Sequence, residues 1–187
     1  MKVSIGISNR HVHVTKDDLE ILFGSNYELN KKVDLKQPNQ YACLETVTIK
    51  TEKDEIKNVR ILGPVRNYTQ VELSKTDAYK LGVNPPLRDS GDLEDSSVVS
   101  IIGPNGMVTK NCAIIARRHI HITKEDKEKY NLTDVVSVKV NGPRGGILDE
   151  VYVKVSDEAY FELHIDMDEA NALGLKNNDE VEIIKNF

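Results

Sequence analysis

Arg10-His11-Val12-His13-Val14-Thr15-Lys16 recurs 108 residues later as Arg118-His119-Ile120-His121-Ile122-Thr123-Lys124. A second pair of matching segments follows. VELSKTDAYKLGV (71–83) aligns without gaps onto LHIDMDEANALGL (163–175), at an offset of 92. There Ala78 meets Ala170, Leu81 meets Leu173, Gly82 meets Gly174, and Glu72 falls opposite His164. Two matches in the same order, with equivalent chemistry, mark a duplicated unit. The first copy carries 16 more residues between its landmarks than the second.

Around these landmarks the chain reads mainly as strand. Val3, Ile5 and Ile7 alternate with small or polar residues, as do the residues of ETVTIKT (45–51) and VVSVKV (135–140). Gly-Pro pairs at 63–64, 103–104 and 142–143, and Asn105-Gly106, punctuate the runs. The helices are expected to be short. Thr15 caps one in which Leu19, Leu22 and Phe23 share a face, with Gly24 past its end. Ser74 with Asp77, and Asp166 with Glu169, cap the two repeated helices, which end at Gly82 and Gly174. The expected fold is mainly β with short helices. It consists of two related, helix-capped β-barrel units in tandem that share or exchange strands. Residues 1–115 form the first half and 116–187 the second, with the boundary in the apolar run AIIA (113–116).

Composition narrows the function classes. The 187 residues include 30 Asp and Glu against 25 Lys and Arg, so no basic field favours nucleic acid. Trp is absent and aromatics are few, which argues against a stacking surface for single strands. No run approaches the roughly 20 apolar residues of a membrane helix, and MKVSIGISNRHVHV lacks the features of a secretory signal. Cys43 and Cys112 make neither a disulfide framework nor a metal knuckle. A cytoplasmic protein is expected.

Four of the five histidines sit in the two His-x-His pairs, and the fifth is the repeat partner of Glu72. On a strand, residues i and i+2 point to one face. Two imidazoles then converge on one cation while Val12 and Val14, or Ile120 and Ile122, face the core. Taken alone, a His-x-His on an exposed strand is commonly without function. Duplication, with a ligand-competent third residue at the same repeat position, defines two half-sites: His11, His13 and Glu72, and His119, His121 and His164. Structural zinc sites are usually closed by four protein ligands, often with Cys; three ligands and no Cys favour open sites. Imidazole and carboxylate suit zinc, but also cobalt, nickel or iron. One half-site has a carboxylate and the other is all imidazole, so the two metals are expected to differ in charge.

The segments GISNRHVHVT (6–15), LKQPNQYACLETVTI (35–49), NVRILGPVRNYTQVELSKTDA (58–78), PPLRDSGDL (86–93), IIARRHIHIT (114–123) and ELHIDMDEANALG (162–174) resemble the propanediol-utilisation type of phosphate propanoyltransferase, a phosphotransacylase family. The resemblance covers nearly the whole chain. It implies reversible transfer of an acyl group between CoA and phosphate, on two β-barrels with exchanged strands. It also implies a dinuclear metal centre, usually zinc, held by the six ligands above. A phosphate-contacting arginine falls on Arg66, and CoA contacts fall on Ser8, Arg60, Leu62 and Asn171. A homodimer or higher homo-oligomer is implied. Microcompartment members carry an amphipathic N-terminal extension; here the first strand begins within a few residues of Met1, so shell association is in doubt.

The residues by themselves leave other readings open. Metal-dependent hydrolysis of a thioester or another bond would use the same ligands. So would a non-enzymatic metal-binding assembly module. Arg60, Arg88, Arg117 and Arg118 have no assigned role from spacing, although Arg118, repeated as Arg10, is placed to orient the histidine strand. Glu45, on a strand, is more readily an exposed carboxylate than a site residue. Cys43 has no neighbouring His base and reads as a small core residue.

Overall fold

The computed structural model describes residues 1–184. In chain order the elements begin β1 Lys2–Ser8, β2 His11–His13, α1 Lys16–Phe23, β3 Lys31–Asp34, β4 Tyr41–Lys50, β5 Glu55–Gly63, β6 Gln70–Glu72 and α2 Lys75–Leu81. They continue β7 Leu87–Arg88, β8 Ser97–Ile102, β9 Met107–Ala116, β10 His119–Thr123 and α3 Lys124–Tyr130. The last are β11 Val135–Val140, β12 Gly146–Ser156, β13 Glu162–Asp166, α4 Met167–Leu173 and β14 Glu180–Ile184. Strand dominates and the helices are short, as the period-two alternation predicts.

The chain divides into two compact units, one of residues 10–116 and one of residues 1–9 with 117 onward. In the first, β4, β5, β2, β6, β9 and β8 pair in that order, and β8 returns to β4. The ring is a closed six-stranded barrel, which leaves no sheet edge within it. β3 is added on β4, and β7 on β9. Val12, Val14, Ile49, Ile61, Val71 and Ile101 fill the core, each fully buried.

The second unit repeats this ring, with β11, β12, β10, β13, β1 and β14 in the corresponding places. The parallel pairs correspond as well: β2 with β5 matches β10 with β12, and β6 with β9 matches β13 with β1. Here the first strand of the chain holds the position that β9 holds in the other barrel. β1 runs parallel to β13 from Ser4 opposite Glu162 to Ser8 opposite Asp166, and antiparallel to β14.

Residues 1–9 therefore do not belong with a first half of 1–115. Val3 and Ile5 are buried in the core of the second barrel, where they meet Ile120, Ile122 and Leu163. The AIIA run is the end of β9 and stays within the first barrel, so the strand is exchanged at the N-terminus instead. Of the expected second half, residues 185–187 lie outside the described residues.

The extra length of the first copy lies chiefly in residues 24–40, between α1 and β4, against 131–134 between α3 and β11. Glu45 anchors this segment. Its buried carboxylate accepts from the Tyr27 hydroxyl at 2.9 Å and from both the backbone N–H and the side-chain amide of Asn30. Burial works against ionisation here, yet these donors hold the Glu45 carboxyl below its ordinary range. It is a buried structural anchor, not the exposed strand carboxylate expected.

The repeated helices form as their caps dictate. Ser74 and Asp77 make a reciprocal capping box on α2, and Asp166 and Glu169 make another on α4. Gly82 and Gly174 end them at φ of 70° and 67°, a left-handed conformation that side chains disfavour. Thr15 caps α1 through the Asp18 N–H, and Thr123 does the same for α3 through Asp126. Among the described residues no helix is long and apolar enough to cross a membrane.

Candidate metal half-sites

In the first barrel β2 and β6 run antiparallel, with His11 opposite Glu72 and His13 opposite Gln70. Val12 and Val14 point into the core, so the alternation turns His11, His13 and Glu72 to the other face. One ligand atom from each of the three lies within 4.8 Å of the others. His11 Nε2 is 3.3 Å from Glu72 Oε2, and the two imidazoles meet edge to face with centroids 4.9 Å apart.

His13 Nδ1 donates to the Leu62 carbonyl at 3.3 Å, which leaves Nε2 as the nitrogen available to a metal. Burial, helped by His11 and the Arg66 guanidinium, holds His13 down to about 3, with Glu72 and the Leu62 carbonyl opposing. It is neutral, and so ligand-competent, throughout the physiological range.

A pH dependence follows. In metal-free protein the unfolded chain protonates His13 near 6.5, whereas the folded chain does not until about 3. Between those values the unfolded state binds the extra proton, so stability falls as pH falls, by about 1.4 kcal/mol per pH unit from this one group. Urea midpoints of chelated wild type and His13→Asn, compared from pH 7 to 4, should differ by this slope. Parallel curves would contradict it.

In the second barrel β10 and β13 repeat the arrangement, with His119 opposite His164 and His121 opposite Glu162. His119, His121 and His164 also bring one ligand atom each within 4.8 Å of the others. His119 Nδ1 donates to the Arg117 carbonyl at 2.7 Å, which turns its Nε2 towards His121 Nε2, 3.0 Å away. The His121 ring lies 4.6 Å, centroid to centroid, from each of the other two. Two imidazole nitrogens this close cannot both carry protons towards each other. A shared cation fits between such donors.

A buried carboxylate stands beside this all-imidazole cluster. Glu162, with its side chain 5% exposed, accepts from His164 Nε2 at 3.0 Å. β1 makes room for that pair at Gly6, opposite His164. A Cβ there would stand 2.6 Å from Glu162 Oε2 and 2.9 Å from His164 Cδ2. Extending the repeat alignment by one residue, to Gln70 and Glu162, would have flagged both.

The arginine before each His-x-His has a defined partner. Arg10 pairs with Asp77 at 2.7 Å and Arg118 with Glu169 at 2.8 Å. In both cases the acid is the third helical residue of the capping box that follows the third ligand. Each arginine thus ties the histidine strand to the start of that helix and fixes the two ligand strands together.

Arg66 donates through Nη1 to the Tyr68 hydroxyl at 2.6 Å and to Ser90 Oγ at 3.3 Å, while its backbone N–H donates to the Val14 carbonyl. Ser90 also accepts from the Gln70 amide, so Arg66 and the first half-site share one hydrogen-bond network. Tyr68, Gln70 and Ser90 carried no sequence signal of their own.

Of the residues expected at CoA, Arg60 and Leu62 lie on β5 and Ser8 on β1, while Asn171 is exposed on α4. The first two and the last two therefore belong to different units. Arg60 Nη1 is engaged by the Cys43 and Leu44 carbonyls. Arg88 is held within its own loop by Asp92 and Glu94, and Arg117 lies over the Tyr152 ring. Cys43 is fully buried, and burial pushes its thiol up to about 11, far from a nucleophile.

The two barrels share one strand order, and each presents three ligand-competent side chains from an antiparallel strand pair. The family model for phosphate propanoyltransferases matches residues 4–176. A phosphate propanoyltransferase of Thermotoga maritima is 51% identical over 187 residues, covering 98% of this chain and 89% of the relative. Those of Rhodopseudomonas palustris and Clostridioides difficile are 47% and 46% identical, each over 98% of this chain and over 83% and 89% of their own lengths. The chain belongs to the phosphate propanoyltransferase family and is an acyltransferase.

Proposed function

We propose that this enzyme interconverts a short-chain acyl-CoA plus phosphate with an acyl phosphate plus CoA, using two divalent metals, most simply zinc. His11, His13 and Glu72 would hold one, and His119, His121 and His164 the other. The observation that carries the reading is the first half-site in register with Arg66: two buried histidines, of which His13 is neutral, a carboxylate and a guanidinium in one network. A divalent ion bound there supplies Lewis acidity, which favours deprotonated phosphate and a polarised thioester carbonyl.

The chain's own groups do the rest. Arg66 neutralises phosphate and aims it through its planar fork. His13 stays neutral and so keeps its ring nitrogen available as a ligand. A phosphate oxygen forms a bond to the thioester carbonyl carbon, and the carbon–sulfur bond breaks. CoA leaves as its thiolate and is protonated by solvent. Holding both reactants together removes much of the entropic barrier. Ser8, Arg60, Leu62 and Asn171 are proposed CoA contacts, Arg60 through the guanidinium edge not taken by the Cys43 and Leu44 carbonyls.

One assay tests this: release of CoA thiol from acetyl-CoA or propanoyl-CoA, with and without phosphate, before and after chelation. Phosphate-dependent, chelator-sensitive release is expected. Release without phosphate would mean hydrolysis, and tightly held metal with no release would mean a binding module. An acyl-enzyme trapped in the absence of phosphate would refute direct attack.

A further inference from the structure

We infer that Gln70 is a positioning residue that sets the Glu72 carboxylate and the Arg66 guanidinium in one fixed arrangement, an inference that rests on the proposed metal and phosphate reading of this site. Gln70 stands on β6, two residues before Glu72 and opposite His13 of β2, and it is fully buried. A primary amide is costly to bury unless its donors and its acceptor are met. The Gly91 N–H donates to Gln70 Oε1 at 2.7 Å. A backbone N–H can only donate, so this contact identifies the oxygen and makes Nε2 the atom that faces Glu72 and Ser90. Nε2 donates to Glu72 Oε1 at 2.7 Å and to Ser90 Oγ at 2.9 Å. Two amide protons serve two acceptors, and both acceptors belong to the site.

Each bond sets one part of the site. The first engages Glu72 Oε1 and leaves Oε2 on the side of His11, 3.3 Å from its Nε2. The second holds the Ser90 hydroxyl, whose oxygen also accepts from Arg66 Nη1 at 3.3 Å. The third ties down the loop that carries Ser90. There the Asp92 N–H donates to the Asp89 carbonyl at 3.0 Å and closes a four-residue turn. Gly91 is its third residue, at φ 99°, where glycine is favoured. The same glycine lies against Tyr68, the other acceptor of Arg66. One rigid, uncharged side chain therefore spaces the carboxylate ligand from the arginine.

The test joins zinc affinity, measured on the full chain by competition with a chromophoric chelator, to steady-state kinetics of the zinc-loaded protein. Gln70→Met keeps the volume and removes all three bonds. It should weaken one of two zinc ions by about 10- to 100-fold and raise KM for phosphate by about three- to tenfold, with KM for acyl-CoA unchanged. Gln70→Asn, one methylene too short to reach all three partners, should show both losses in milder form and stands in if the methionine variant does not fold. Ser90→Ala cuts only the arginine arm, so it should raise KM for phosphate and leave both zinc affinities as they are. Adding Ser90→Ala to Gln70→Met should raise KM for phosphate less than it does in wild type, because both act through one chain of bonds. Gln70 variants with wild-type zinc affinity and wild-type phosphate KM, changed only in melting temperature, would assign the residue to folding and overturn the inference. So would a loss of one function without the other. Wild type without stoichiometric zinc would overturn the metal reading itself, and the inference with it.

Discussion

His121→Ala should reduce bound metal from two ions per chain to one and slow phosphate-dependent acyl transfer by about a thousandfold. His121 is the central ring of its cluster, 4.6 Å from both His119 and His164, with its Nε2 3.0 Å from that of His119. Without it, two imidazoles remain, too few to hold a catalytic ion. Lewis-acid stabilisation of this kind supplies several kcal/mol, and each 1.4 kcal/mol or so is tenfold in rate. Folding should survive. The strand is anchored by Ile120 and Ile122, both fully buried on its other face, and these are untouched. Elemental analysis and a rate assay on the same preparation would decide the matter. Wild-type metal content in His121→Ala would remove this cluster from consideration as a metal site.

Arg66→Ala should raise KM for phosphate by about 10- to 100-fold with a smaller change in KM for acyl-CoA. Charge-assisted hydrogen bonds contribute about 1.5–3 kcal/mol, and about 1.4 kcal/mol is a factor of ten. Among the described residues only Nη1 of the guanidinium donates to protein, to Tyr68 and Ser90, so the rest of the fork is available to an oxyanion. Arg66→Lys should recover little, because an ammonium keeps the charge but cannot reproduce a planar, two-pronged contact. A loss confined to acyl-CoA affinity would place Arg66 at the other substrate. Tyr68→Phe and Ser90→Ala remove the groups that hold the guanidinium, and should show weaker versions of the same phosphate effect.

The candidate site was legible to an unusual degree because its chemistry is repeated. A single His-x-His says little. Two of them, each followed at the matching repeat position by a third donor, select six residues, and the barrels bring these into two groups of three. The caps were legible too, since Ser74 with Asp77 and Asp166 with Glu169 bond over three residues and need no distant partner. Less was readable wherever a side chain's meaning depends on a neighbour remote in sequence. Glu45 looks like any strand carboxylate until residues 27–30 fold over it. Glu162 resembles a surface acid beside a histidine until β1 closes over it through Gly6. The arginines before the two histidine pairs show their purpose only when α2 and α4 bring Asp77 and Glu169 to them.

Sequence alone was enough for the strand-rich class, the short capped helices and the faces on which the histidines stand. Each of these rests on periodicity or on contacts within one turn, which local residue order encodes directly. Only the tertiary structure decided which strands close which barrel. β1 pairs with residues 162–166 and 180–182, across almost the whole chain, and nothing in its Val3-Ile5-Ile7 alternation names that partner. An alternating strand specifies which face it buries, not against whom. That choice falls to long-range pairing, and it is what gave the second barrel its sixth strand and set Gly6 against Glu162 and His164.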